Sequence, residues 1–267
     1  MKKIILATFI FTILGACTRP SESAIQTAIA STQNVQTSTQ NAQLVLTPTD
    51  TSINDCDVSS VYREDWTTVF CDTFDDNLND WDLGGGSDEL SRSLFQIENG
   101  KFVADLTGKA TSGYLSGVIQ WMNILPARNF MITITGDIFS NYKSCSWGIV
   151  FNQRDSDNFY ALMLSSRDGW YNLIQFENGK QKFPISTRPH SAINWDEQNE
   201  LTIVAEDGYY QFYINNQLVN DYKTRPETAY LSLAIWTAEG VTARFEFDDL
   251  LIRVPDQEVD ASIFPET

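Results

Sequence analysis

The sequence holds one histidine and four cysteines, which leaves little raw material for metal or triad chemistry. His190 stands alone and no Cys-x-x-Cys pair occurs, so a zinc site or a His-based catalytic triad has almost nothing to be built from. Basic residues are scarce too: 18 Lys and Arg stand against 35 Asp and Glu, for a formal charge of −17. Binding to nucleic acid or to an anionic membrane surface therefore lacks its electrostatic footprint, and an acidic, solvated surface is the plain reading. The apolar run Ile4–Leu14 is too short to span a bilayer comfortably. Helical periodicity is missing as well. No segment sustains apolar residues at i, i+3 and i+4, and the tempting stretch Gln26–Gln43 is too rich in Thr, Ser and Asn to be a good helix.

What is present is apolar enough to fold: 42% of the residues are hydrophobic and 12% aromatic. The length suits one large all-β domain with tails. Lys2 and Lys3 precede the apolar run, which ends in Leu14-Gly15-Ala16-Cys17. This resembles a bacterial lipobox. The resemblance implies cleavage before Cys17, a diacylglycerol on its thiol and acylation of its new amine, palmitate being the usual chain. Two or more chains anchor a protein stably. Residues 1–16 are thus expected to be a lipoprotein signal peptide, and the mature chain to sit lipid-anchored on the extracytoplasmic side of a bacterial cell envelope. Residues 17–54 are rich in Ser, Thr, Gln, Asn and Ala, which predicts a disordered tether. Its root-mean-square reach would be roughly 30–35 Å. Cys56 and Cys71 flank a short loop where the tether meets the first strand. A disulfide between them would be worth up to about 3 kcal/mol, and export permits it. Cys145 lies in a strand pattern beside Trp147 and is expected to be a buried free thiol.

From Thr68 onward the text becomes short β-rich runs separated by turn dipeptides: Asn99-Gly100, Asp168-Gly169, Asn178-Gly179, Asp207-Gly208 and Asn215-Asn216. Phe130–Phe139 alternates plainly, with Phe130, Ile132, Ile134 and Gly136 on one face. Asn158–Ser166 and Trp170–Glu177 are apolar on both faces, so this hairpin is expected to be central. A two-residue turn at Asp168-Gly169 would set Met163 opposite Ile174 and Ala161 opposite Phe176. The segment Lys182–Gln198 reads as a long loop. The expected fold is all-β: a two-sheet antiparallel jelly-roll sandwich of about a dozen strands.

The succession NFYALMLSSRDGWYNL, Asn199-Glu-Leu-Thr-Ile-Val, YYQFYINNQLV and RFEFDDLLI resembles the concanavalin A-like lectin/glucanase superfamily. It is similar in particular to the laminin-G-like and sugar-hydrolase-like sandwiches of bacterial extracytoplasmic proteins. The likeness implies a sandwich over residues 55–255, followed by an acidic tail at 256–267. It also implies that an opening Asp72-Thr-Phe-Asp-Asp76 strand lies beside a closing Phe247-Asp-Asp-Leu250 strand, and that Tyr160, Leu162, Leu164, Tyr171 and Leu173 face the core.

Three chemistries compete. The glucanase branch resembles E-x-D-x-x-E, whose two Glu supply the carboxyl pair a glycosidase needs. Here the nearest text is Glu246-Phe-Asp248-Asp-Leu-Leu251, placed on what reads as a closing edge strand. Leu251 stands where the second Glu should be, which argues against an enzyme. Asp75, Asp76, Asp248 and Asp249 would converge if the first and last strands pair, and such oxygens suit Ca²⁺. The alternative is that one Asp of each pair caps a turn. Sugar binding needs an aromatic plane with amides or guanidinium groups beside it. Trp170, Asn172 and Phe176 share one face, Asn152 and Arg154 are expected to turn towards it, and Arg167 projects from the adjacent turn. The other tryptophans, Trp195 and Trp236 among them, read as core or loop anchors. A non-catalytic glycan- or envelope-polymer-binding lectin-like module is the expectation. A glycoside hydrolase with an unrecognised carboxylate pair and a structural protein–protein sandwich are the alternatives.

Overall fold

Alternation of inward and outward side chains governs nearly every element of the computed structural model. It describes residues 65–109, 117–140 and 145–259, and the side chains of all of these but 117–121. The described residues form fifteen strands. The first six are β1 (Trp66–Asp72), β2 (Gly84–Ser87), β3 (Ser91–Ile97), β4 (Phe102–Gly108), β5 (Gly117–Ala127) and β6 (Phe130–Phe139). Next come β7 (Cys145–Asp155), β8 (Asn158–Ser165), β9 (Trp170–Glu177), β10 (Lys180–Pro189) and β11 (Asn199–Glu206). The last are β12 (Tyr209–Ile214), β13 (Gln217–Lys223), β14 (Ala229–Ala238) and β15 (Thr242–Pro255).

They make two antiparallel sheets. One has nine strands in the order β13-β12-β11-β6-β15-β4-β3-β2, with β1 added alongside β15; the other has six, ordered β10-β9-β8-β7-β14-β5. The inner faces share one core. Trp147, Leu162, Leu164, Tyr171 and Leu173 from the six-stranded sheet meet Phe102, Ile132, Ile203, Phe212 and Phe247 from the other. Leu201, Ile203 and Ala205 point inward as their alternation predicts. Cys145 is in no disulfide and is fully buried, and burial pushes its thiol pKa up.

Several expectations need correction. The closing strand β15 is interior: Arg244–Phe247 pairs with β4 on one side and β6 on the other, and Leu250–Pro255 pairs with β1. The change of neighbour occurs at a bulge where Asp249 takes φ 51° and Asp248 accepts its N–H at 3.0 Å. The β8–β9 loop holds four residues, Ser166 to Gly169, so Ala161 faces Ile174 and Met163 faces Asn172. This register differs from the two-residue turn by two positions, and an even slip leaves every side chain on its expected face. Lys180–Pro189 is an edge strand, although the segment Lys182–Gln198 reads as a loop. Its register against β9 shifts twice, and Lys180, Lys182, Pro184 and Pro189 mark it as a blunted edge.

Gly136 makes room for the largest inner side chain. A Cβ there would lie 2.8 Å from two ring carbons of Trp147, which is fully buried. Gly136→Ala is expected to destabilise the fold by about 1–3 kcal/mol through overpacking. In urea denaturation, combining it with Trp147→Phe should cost less than the sum of the two single changes.

Candidate functional site

The outer face of the six-stranded sheet is apolar along its middle. Val150 of β7, Phe159, Ala161 and Met163 of β8, Ile174 and Phe176 of β9 and Ala234 of β14 form a second hydrophobic cluster. Trp170 and Trp236 pack at its margins. Phe159 and Phe176 are cross-strand partners whose rings stack with centroids 4.7 Å apart. Polar groups flank the belt. Asn172 donates to Thr187 at 3.0 Å, and its own carbonyl oxygen is buried without a hydrogen-bond partner. At the opposite margin Ser232 lies 2.8 Å from Asn123 and 2.7 Å from Gln153.

The β8–β9 turn extends this face. Gly169 adopts φ 63° and donates its N–H to the Ser165 carbonyl at 2.8 Å. The indole of Trp195 lies against it, since a Cβ on Gly169 would come within 2.4 Å of the ring. Only glycine serves here, for its positive φ and for the close approach. Asp196 fastens the two loops by donating its N–H to the Ser166 carbonyl at 3.3 Å and pairing with Arg167 at 3.3 Å. Trp195 remains 59% exposed, an unusual state for so large an aromatic surface.

Three residues anticipated from alternation, Trp170, Asn172 and Phe176, do share the outer face. Phe176 is consumed by its stack on Phe159 and is buried. Arg167 stands in the turn, beside Trp195 through Asp196. Arg154 is exposed and pairs with Glu227 at 3.4 Å. Asn152 is a correction: it points inward. A bulge after Phe151 gives Asn152 φ 49° and turns two successive side chains to the core. There it donates to the Tyr210 hydroxyl at 2.8 Å and accepts from it at 3.0 Å. Burial pushes the Tyr210 pKa up to about 12, against the opposing effect of that hydrogen bond. Trp195, Trp236 and Thr187 were missed. The polar run Asn194-Trp195-Asp196-Glu197 is the signal for the first, because a lone indole among polar residues has no apolar face to join.

One acidic residue of each pair, Asp76 and Asp248, serves the backbone, and Asp75 takes a side-chain hydroxyl. Asp76 caps Leu78 N–H at 2.9 Å, Asp248 caps Asp249, and Thr73 donates to Asp75 at 3.0 Å. Among the described residues no three His, Cys, Asp or Glu side chains converge as metal ligands. Cys71 is disulfide-bonded; Cys17 and Cys56 lie outside the described residues.

The outward strand positions of the belt (Ser146, Gly148 and Val150; Phe159 to Ser165; Trp170 to Phe176; Ser232, Ala234 and Trp236, each by alternation) carry no carboxylate. Glu246 and Asp248 belong to the other sheet. Glu246 pairs with Lys101 at 3.3 Å and Arg244 at 2.9 Å, directly across from Asp137.

No protein-family model matches the chain, and no curated protein matches it. Among solved structures it is similar to a GlcNAcα1-4Gal-releasing endo-β-galactosidase from Clostridium perfringens, with 13% identity over 76% of this chain and 65% of that one, and a TM-score of 0.52. It is also similar to SCLam, a non-specific endo-β-1,3(4)-glucanase from family GH16, with 10% identity over 72% and 92% of the two chains and a TM-score of 0.50. The fold is the concanavalin A-like sandwich. A third likeness is to the carbohydrate-binding module CBM66 from Bacillus subtilis, with 15% identity over 70% and 93% and a TM-score of 0.40. Identities this low bear on the fold alone. Within this concanavalin A-like sandwich, the Asp72 and Asp248 segments lie side by side, Asp72 being the partner of Leu250.

Burial raises the Asp137 pKa, with Glu246 adding to the rise and the Ile138 N–H opposing it. Ionised Asp137 therefore penalises the folded state above its folded pKa, and the penalty disappears below the ordinary carboxylate range. Asp137→Asn should raise the melting temperature at about pH 7.5, and the gain should vanish by about pH 3. Thermal melts at the two pH values check this.

Proposed function

We propose that this chain is a lectin-like binding module of the bacterial cell envelope, anchored by lipid at Cys17 and directed at a glycan or another envelope polymer without catalysis. The observation that carries the reading is the pair of tryptophans at the β8–β9 turn. Trp195 is held over Gly169 with its ring largely in solvent, and Trp170 follows one residue on at the outer face. Flat aromatic surface suits the apolar face of a sugar ring. Arg167 stands beside it for hydroxyl groups. The solved structures of similar fold act on glycans according to their descriptions, and this places glycans first among ligands to try.

The test is a glycan array and a cell-wall pull-down with the full-length protein. Trp170→Ala and Trp195→Ala should each weaken retention roughly fivefold or more, the loss expected for about 1 kcal/mol of aromatic stacking. Retention on no glycan, or variants indistinguishable from the parent, overturns the reading. Hydrolysis of a β-glucan panel by the parent would overturn its non-catalytic part. For the anchor, Cys17→Ser should move the protein from the membrane fraction to the soluble one on cell fractionation.

A further inference from the structure

The two sheets differ in width, and at the β5 edge of the six-stranded sheet the sandwich does not close. A cavity of about 350 Å³ opens there. Phe70, Trp81, Phe95 and Phe102 line it together with Met122 and Ile124 of β5. The aromatic wall is packed ring against ring. Trp81 lies 5.2 Å from Phe102 and meets Phe70 edge-on at 6.3 Å, while Phe95 stacks on Phe102 at 6.1 Å. The buried carboxylate of Asp72 holds the wall in place, accepting from the Trp81 indole at 2.6 Å and from the Asn79 amide at 2.8 Å.

The mouth is formed by exposed polar residues, Asn79, Asp80, Asp82 and Asn123. Their chemistry is lopsided. The Asn79 amide is spent on Asp72, and the Asn123 carbonyl on Ser232. Asp80 and Asp82 have no side-chain hydrogen bond or ion pair among the described residues, and no Lys, Arg or His lines the cavity. Two carboxylates beside the single amide donor of Asn123 suit a cation better than a polyol, which needs donors and acceptors together. Aromatic faces attract an ammonium group through their quadrupole, and the formal charge of −17 adds a long-range field of the same preference.

We infer that this cavity binds a small organic cation, an ammonium group carried on a compact apolar body. The apolar part lies between the Phe95–Trp81 wall and Met122–Ile124, and the charge faces Asp80 and Asp82. The site is separate from the Trp170–Trp195 turn, so its test does not depend on glycan binding.

The experiment is an NMR or calorimetric titration of the full-length protein with choline and with its neutral isostere, 3,3-dimethylbutan-1-ol. Choline should bind about tenfold tighter or more, and its affinity should fall with added salt. Asp80→Asn and Asp82→Asn should each weaken choline severalfold, and the double variant should bring the two probes level. Asn tolerates the φ of 58° at position 80, so the turn survives the change, and an unaltered melting temperature verifies it. Equal binding of the two probes by the parent overturns the proposal. So does the absence of any choline binding at millimolar concentration, or choline binding that the Asp variants leave untouched.

Discussion

Burial of Tyr171 and Leu173 against the opposite sheet dictates what the other side of β9 can present. A pleated strand has only two sides. Once these rings and methyls are drawn inward, Trp170, Asn172, Ile174 and Phe176 have no choice but to face out, and the same holds along β8 for Phe159, Ala161 and Met163. The outer belt is thus a by-product of the core in position, though not in composition. Outward positions of a two-sheet sandwich would ordinarily be polar, and here most of the middle of the face is apolar and buried. The sheet has been given two hydrophobic sides, and the residues of the outer cluster are buried like those of the inner one.

A second constraint is the bulge at Asp248-Asp249. It lets a single strand serve β4 with its first half and β1 with its second, while β6 runs along its other side. Pairing β1 there also sets Asp72 where it can gather Phe74, Asn79 and Trp81 into a fixed loop. The walls of the edge cavity therefore descend from the same irregularity that ends the β4 pairing. One unusual backbone angle in the middle of a sheet shapes a site at its rim.

Much of this was legible in the residues. Strict alternation in Phe130–Phe139 and Leu201–Glu206 identified inward side chains, and the doubled apolarity of Asn158–Glu177 marked a central hairpin. Parity is robust: a register wrong by two residues at Asp168-Gly169 left every face correct. Bulges are what alternation cannot convey. Counting from Phe151 predicts Asn152 outward, and one added residue with positive φ reverses it. β10 escaped notice because prolines and lysines, which blunt an edge strand, also compose loops. Trp195 escaped for a different reason. Its setting depends on contact with Gly169, 26 positions away in the chain by their numbers, and no local pattern encodes that.

That contact ties two positions together in their freedom to vary. As long as an indole occupies 195, nothing but glycine fits at 169; once the indole is gone, only the backbone angle still asks for glycine, and Asn or Asp could meet that demand. Related chains should accordingly divide into two groups, one keeping both residues and one free to lose both. A chain with an indole at 195 and a branched residue at 169 would have had to rebuild the whole turn.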